Sequence, residues 1–100
     1  MADFTAAQAA GKPILVDVYA PWCPTCQAQQ KVFETLKSEA KYDALTIFKV
    51  DYDHQTDALK HFKVQKQSTL IGFKGDKETG RSLGDTNAAS IGTLIDSALK

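Results

Sequence analysis

Cys23 and Cys26 are the only cysteines of the chain, and they lie in Trp22-Cys23-Pro24-Thr25-Cys26. Two thiols at this spacing can close a small disulfide ring and reopen it, which makes them a candidate two-electron redox couple. A thiolate attacks a disulfide and a thiol hardly does, so the first cysteine must ionise near neutral pH. The pattern puts Cys23 where a helix begins, and the unpaired N–H groups and partial positive charge of a helix start stabilise an anion. Cys26 falls about one turn further in, close enough to resolve a mixed disulfide formed on Cys23. Cys23 is therefore read as the nucleophile and Cys26 as the resolving thiol. Pro24 removes one N–H that could have bonded the thiolate, and the Thr25 hydroxyl is an expected replacement donor.

Cys-x-x-Cys is also half of many zinc sites. Completing one within this chain would require His54 and His61, whose seven-residue separation fits no finger or ribbon. The two histidines are read as solvated residues on or beside a short helix. Asp17 is a second anomaly, a carboxylate inside the apolar run Ile14-Leu15-Val16-Asp17-Val18-Tyr19. Burying it should raise its pKa, and such a group can take the proton from Cys26 when that thiol attacks. The bland reading turns Asp17 outward as an edge-strand charge; the apolar neighbours on both sides favour the buried one.

The elements that must position these residues follow from pattern. Residues 3–10 read as a short alanine-rich helix capped by Asp3 and ended by Gly11-Lys12-Pro13. Residues 14–19 read as a central strand covered on both faces. A long helix starts near Pro24, with Ala28, Val32, Phe33, Leu36 and Ala40 on its apolar face and Gln27, Gln29, Gln30 and Lys31 over the rest. Leu45–Asp51 is a second strand, Thr56–Phe62 a short helix with Leu59 and Phe62 inward, and Thr69–Phe73 a third strand. Lys74–Glu78 forms a turn into a short partner strand, Arg81–Leu83. Ile91, Leu94, Ile95, Ala98 and Leu99 stripe a last helix. The order implies a parallel strand–helix–strand unit followed by an antiparallel hairpin, hence a mixed α/β sheet with helices on both faces.

Composition bounds the function. One hundred residues, 43% hydrophobic and 24% charged, suit one domain spanning 1–100. Twelve basic and twelve acidic side chains give a formal net charge of zero, so no basic surplus points to nucleic acid or anionic membrane. The apolar run broken by Asp17 is too short to insert in a bilayer. Met1-Ala2-Asp3 lacks the basic and apolar regions of a signal peptide. The expected compartment is the cytoplasm for the chain as written, with a periplasmic or exported form after signal removal as the alternative. No internal repeat or low-complexity tract interrupts the chain.

Val16 through Cys26, Val16-Asp17-Val18-Tyr19-Ala20-Pro21-Trp22-Cys23-Pro24-Thr25-Cys26, resembles the active-site strand and turn of the thioredoxin family. Phe48-Lys49-Val50-Asp51 is similar to the strand that sets a lysine beside the family's buried aspartate, here Lys49 beside Asp17. Ser68-Thr69-Leu70-Ile71-Gly72-Phe73-Lys74 resembles the following loop and strand, and Gly84 the glycine of the substrate groove. The spacing holds from Asp17 through Gly84 without a gap. The Pro-Thr dipeptide is similar to that of reductants in cytochrome c maturation, and Gly11-Lys12-Pro13-Ile14 to exported relatives, although there is no room for the insertion such reductants carry.

The resemblance implies a thioredoxin fold and a protein-disulfide oxidoreductase active in cell redox homeostasis. Asp17 moves a proton, Lys49 tunes it, and Trp22, Pro24, Gln67, Ser68, Thr69 and Gly84 form the docking surface. It implies disulfide-containing protein substrates, a monomer, and no cofactor beyond the Cys23–Cys26 disulfide. No flavin or nicotinamide motif is present, so electrons must come from a separate donor protein or a small thiol. Three departures stand out. The first edge strand of thioredoxin has no counterpart, so four strands are expected. Lys31 replaces a helix-kinking proline. Ser68 occupies the family's cis-proline position, where a cis bond before serine would cost roughly 3–4 kcal/mol, so Gln67–Ser68 is expected trans. Two other readings stand beside the oxidoreductase: a binding module whose thiols hold a metal or iron–sulfur cluster between two chains, and an inert scaffold. The intact set Asp17, Cys23, Cys26 and Lys49 argues against the last.

Overall fold

The computed structural model describes residues 2–99 and, within them, every side chain but those of Ala2 and Lys41. Met1 and Lys100, the ends of the expected unit, lie outside the described residues. The elements run α1 (Ala2–Ala9), β1 (Pro13–Tyr19), α2 (Pro24–Leu36), a 3-10 turn (Ala40–Tyr42), β2 (Thr46–Asp51), α3 (Thr56–Phe62), β3 (Thr69–Lys74), β4 (Lys77–Leu83) and α4 (Ala88–Leu99). The four strands form one mixed sheet in the order β2-β1-β3-β4. β1 pairs parallel with β2 and antiparallel with β3, and β3 pairs antiparallel with β4. The sequence pattern anticipated this four-stranded arrangement and the central, doubly covered β1. No described helix is long and apolar enough to cross a membrane.

Side chains alternate across a strand, so β1 feeds two cores. Ile14, Val16 and Val18 join Phe4, Ala7, Val50, Ala58, Phe62, Ile71 and Phe73 on the face covered by α1 and α3. Phe4 meets the rings of Phe62, Phe73 and Phe48 edge-on at 4.9, 5.4 and 5.6 Å. This geometry suits the ring quadrupoles and fastens α1 to the sheet. Leu15 joins Phe33, Tyr42, Leu70, Ile91 and Ile95 on the opposite face, under α2 and α4. The same alternation aims Asp17 at α2. Gly72 of β3 lets α4 approach: a Cβ there would sit 2.8 Å from Thr79 Oγ1 and 3.3 Å from the Leu94 carbonyl.

Three expectations need correction. The long helix stops at Leu36 rather than continuing to Ala40, with the Ser38 hydroxyl donating to the Thr35 carbonyl at 2.8 Å. Stopping there lets the 3-10 turn swing Tyr42 into the core while Ala40 stays exposed. Gln29, assigned to the polar remainder of that helix, is fully buried. The hairpin's second strand is longer than Arg81–Leu83 and starts at Lys77, because the tight turn needs only Gly75, at φ 63, and Asp76.

Candidate active site

Cys23 is the N-cap of α2, in an extended conformation at φ −92 and ψ 111, with Pro24 at the first helical turn. Its Sγ accepts the backbone N–H of Cys26 at 3.2 Å. A sulfur in this position receives an otherwise unpaired helix N–H and the positive end of the helix dipole. Cys26 lies in the first turn, fully buried, with its Sγ 3.9 Å from the Val18 carbonyl. Both cysteines are free thiols. The groups that meet the Cys23 sulfur are Cys26 N–H and the Ser68 hydroxyl, at 3.2 Å each, rather than the expected Thr25 hydroxyl.

The two thiols are driven apart in acidity. Burial pushes the Cys23 thiol up. Hydrogen bonds from Cys26, from the Ser68 hydroxyl, from Cys26 N–H and from Gln67 more than offset this and hold it below the ordinary thiol value. Burial pushes the Cys26 thiol up and its hydrogen bond with Cys23 adds to that; the Ser68 hydroxyl and the Ala20 backbone pull the other way and do not win. Cys23 is 2% exposed yet lies just beneath the surface beside Trp22.

Asp17 is 1% exposed. Its Oδ2 accepts Gln30 Nε2 at 2.6 Å, and its Oδ1 has no partner. Burial raises its pKa, while the Gln30 hydrogen bond and the charge of Lys49 pull the other way and do not win. Lys49 pairs with Asp17 in the β1–β2 register, and its Nζ stands 3.9 Å from the centre of the Tyr19 ring. A cleft of about 380 Å³ opens beside this pair, lined by Asp17, Gln30, Glu34, Lys37 and Lys49 among others. The carboxylate is therefore held at Gln30, one helical turn along α2 from Cys26.

The loop before β3 closes the site from the other side. The Gln67–Ser68 bond is trans, as expected for serine. Ser68 takes φ 67, and its N–H, which a proline would lack, donates to the Val18 carbonyl at 2.8 Å. Its carbonyl accepts Gly84 N–H at 3.0 Å and Gln29 Nε2 at 3.1 Å. Gln29 Nε2 also donates to the Asp85 carbonyl at 3.0 Å, so one buried amide ties α2 to the loops on both sides of the hairpin. Thr69 turns its hydroxyl back to the Lys66 carbonyl at 2.8 Å. Trp22, 56% exposed, donates its indole N–H to Asp53 Oδ2 at 2.9 Å and meets Tyr52 edge-on. It packs on the loop after β2.

The structure thus brings Cys23, Cys26, Gln67 and Ser68 together, sets Gly84 behind Ser68, and leaves Asp17 and Lys49 a turn away. Sequence reasoning missed Gln29, Gln30 and Asp53. The two glutamines follow Cys26 by three and four positions, so the helical face that carries the thiol also points to them. His54 is solvated, 80% exposed, with Nδ1 2.8 Å from Asp51 Oδ2. That hydrogen bond raises the histidine's pKa and lowers the aspartate's. Among the described residues, no group of three or more His, Cys, Asp or Glu side chains could hold a metal ion.

Comparison with known proteins agrees with this geometry. The thioredoxin family model matches residues 2–97. A thioredoxin of Chlamydia muridarum is 39% identical over 82 residues, covering 82% of this chain and 78% of that protein. A bifunctional thioredoxin reductase/thioredoxin of Mycobacterium leprae is 34% identical over 80 residues, 80% of this chain and 17% of that one. The crystal structure of Trxlp from Edwardsiella tarda superposes with a TM-score of 0.90 at 42% identity, covering 94% of this chain and 91% of that one. The chain belongs to the thioredoxin family and is a protein-disulfide oxidoreductase.

Proposed function

We propose that the chain, acting as a single monomeric unit, reduces disulfides in proteins, with Cys23 attacking and Cys26 resolving. The observation that carries this is the opposite treatment of the two sulfurs. Cys23 Sγ caps α2 and accepts Cys26 N–H, while Cys26 is buried behind it. In the first step the Cys23 thiolate forms a bond to one substrate sulfur, the substrate S–S bond breaks, and the departing thiolate takes a proton from solvent. In the second, Cys26 loses its proton and attacks Cys23 Sγ, releasing the other substrate thiol and leaving the Cys23–Cys26 disulfide. Two electrons and two protons from a donor restore the dithiol, and no further cofactor is needed.

Asp17 is assigned as the acceptor of the Cys26 proton, with Gln30 positioning its carboxylate and Lys49 tuning it. Its pKa, raised by burial, makes it a stronger proton acceptor than an ordinary carboxylate. Trp22, Pro24, Gln67, Ser68, Thr69 and Gly84 are assigned to substrate docking. Support comes from Trp22 and Leu83, 56% and 61% exposed, each one residue from Cys23 or Gly84. A groove of about 400 Å³ lined by Lys66, Thr69, Arg81 and Leu83 continues that surface. The relative whose name joins thioredoxin reductase to thioredoxin supports a reductase of that kind as the electron donor.

The test is the reduction potential of the couple, measured by equilibration with glutathione or dithiothreitol buffers and thiol counting by mass. A value near −270 mV, as for thioredoxins, is expected, and it fits either the cytoplasm or an exported reducing pathway. A value near −120 mV would replace disulfide reduction by disulfide formation.

A further inference from the structure

Ser68 Oγ lies 3.2 Å from Cys23 Sγ and 3.1 Å from Cys26 Sγ. A hydroxyl carries one proton, so it can donate to one of these sulfurs while accepting from the other. The surroundings decide which. Cys23 Sγ already accepts Cys26 N–H at the start of α2, where negative charge is stabilised. Cys26 is fully buried beside a carbonyl, where a protonated sulfur fits and an anion does not. The consistent order is Ser68 O–H to the Cys23 thiolate, with Cys26 keeping its proton.

The backbone of Ser68 is built to hold this hydroxyl. The residue takes a left-handed φ of 67, unusual for serine, and three hydrogen bonds over-determine it: to Val18, from Gly84 and from Gln29. Two of those bonds come from segments that already frame the thiols.

We propose that Ser68 is a catalytic residue of this oxidoreductase, whose hydroxyl donates to the Cys23 thiolate and so selects which sulfur attacks first. The proposal rests on the assignment of Cys23 as nucleophile. It places a proton-donating group where a proline would offer only carbon atoms, so the serine contributes chemistry of its own.

The test is the pH dependence of iodoacetamide alkylation at Cys23, located by mass, in the wild type, Ser68→Ala and Ser68→Gly. Glycine accepts a φ of 67 without strain, so the second variant keeps the test informative if the alanine variant folds poorly. The midpoint is expected to rise by about one pH unit in both variants, which is roughly a tenfold loss of rate at pH 7, with an unchanged plateau at high pH. An unmoved midpoint in a folded variant, beside a wild type that alkylates first at Cys23, overturns the role of Ser68 alone. A wild type alkylated first at Cys26 overturns the nucleophile assignment beneath it.

Discussion

On the α1/α3 face of the sheet, β1 presents Ile14, Val16 and Val18 to a cluster of aliphatic and aromatic side chains around Phe4. On the α2/α4 face the same strand presents Leu15 and then Asp17, and the buried polar residues Asp17, Gln29 and Ser68 collect on or at the end of that side. Two buried acceptors there, Asp17 Oδ1 and Gln29 Oε1, have no partner. An unsatisfied buried group costs about 1–3 kcal/mol, so the catalytic side is less stable than apolar packing would make it. The comparison teaches a division of labour: one face holds the sheet together, and the other accepts polar strain to place two sulfurs, a hydroxyl and a carboxylate.

The largest effect should come from the polar side. Cys23→Ser is expected to bring turnover with a model disulfide such as insulin to background while leaving thermal unfolding within a few degrees of the wild type. Retained turnover would detach function from this face. The apolar side should behave in the opposite way. Phe4→Ala removes a ring that meets four others and is expected to cost about 3–5 kcal/mol in denaturant unfolding, with the Cys23 alkylation midpoint unchanged.

Asp17→Asn sharpens the comparison because it should move stability and rate in opposite directions. Asp17's folded pKa lies above its unfolded value of about 3.9, so the native state holds the proton longer. Stability from this group is present below the unfolded pKa and is lost as pH rises through the folded one. The asparagine variant should flatten that decline and be about 1–3 kcal/mol more stable at pH 8, by chemical denaturation. Decay of the mixed disulfide in single-turnover experiments should slow about 10²-fold. A variant as fast as the wild type would remove Asp17 from the proton path. The smallest effect is expected at the rim. Trp22→Ala should raise KM for a protein disulfide a few-fold, with kcat held, since the indole is exposed and hydrogen-bonded only to Asp53.

Much of this was legible in the residues. The unbroken apolar run with one acid in it gave a central strand and a buried carboxylate, because only a doubly covered strand needs that pattern. Cys23 before Pro24 gave a helix start with a sulfur at its cap. What escaped depends on tertiary partners. Gln29 and Gln30 look like solvent-facing glutamines in a helical pattern, and only the loop carbonyl of Ser68 and the carboxylate of Asp17 draw them in. The helix end at Leu36 was hidden because Ala40 continues the apolar period, while Tyr42 competes for the same core space and fills it better. Trp22 beside Cys23 was visible, but its Asp53 partner arrives from 31 residues away.

The most direct test of the central claim, that Cys23 attacks and Cys26 resolves, is covalent trapping at pH 7 with a disulfide-bonded protein. Cys26→Ser should accumulate a mixed disulfide located at Cys23 by mass, and Cys23→Ser should accumulate none. An adduct at Cys26 in the Cys23→Ser variant, formed as readily as the other, would contradict the account.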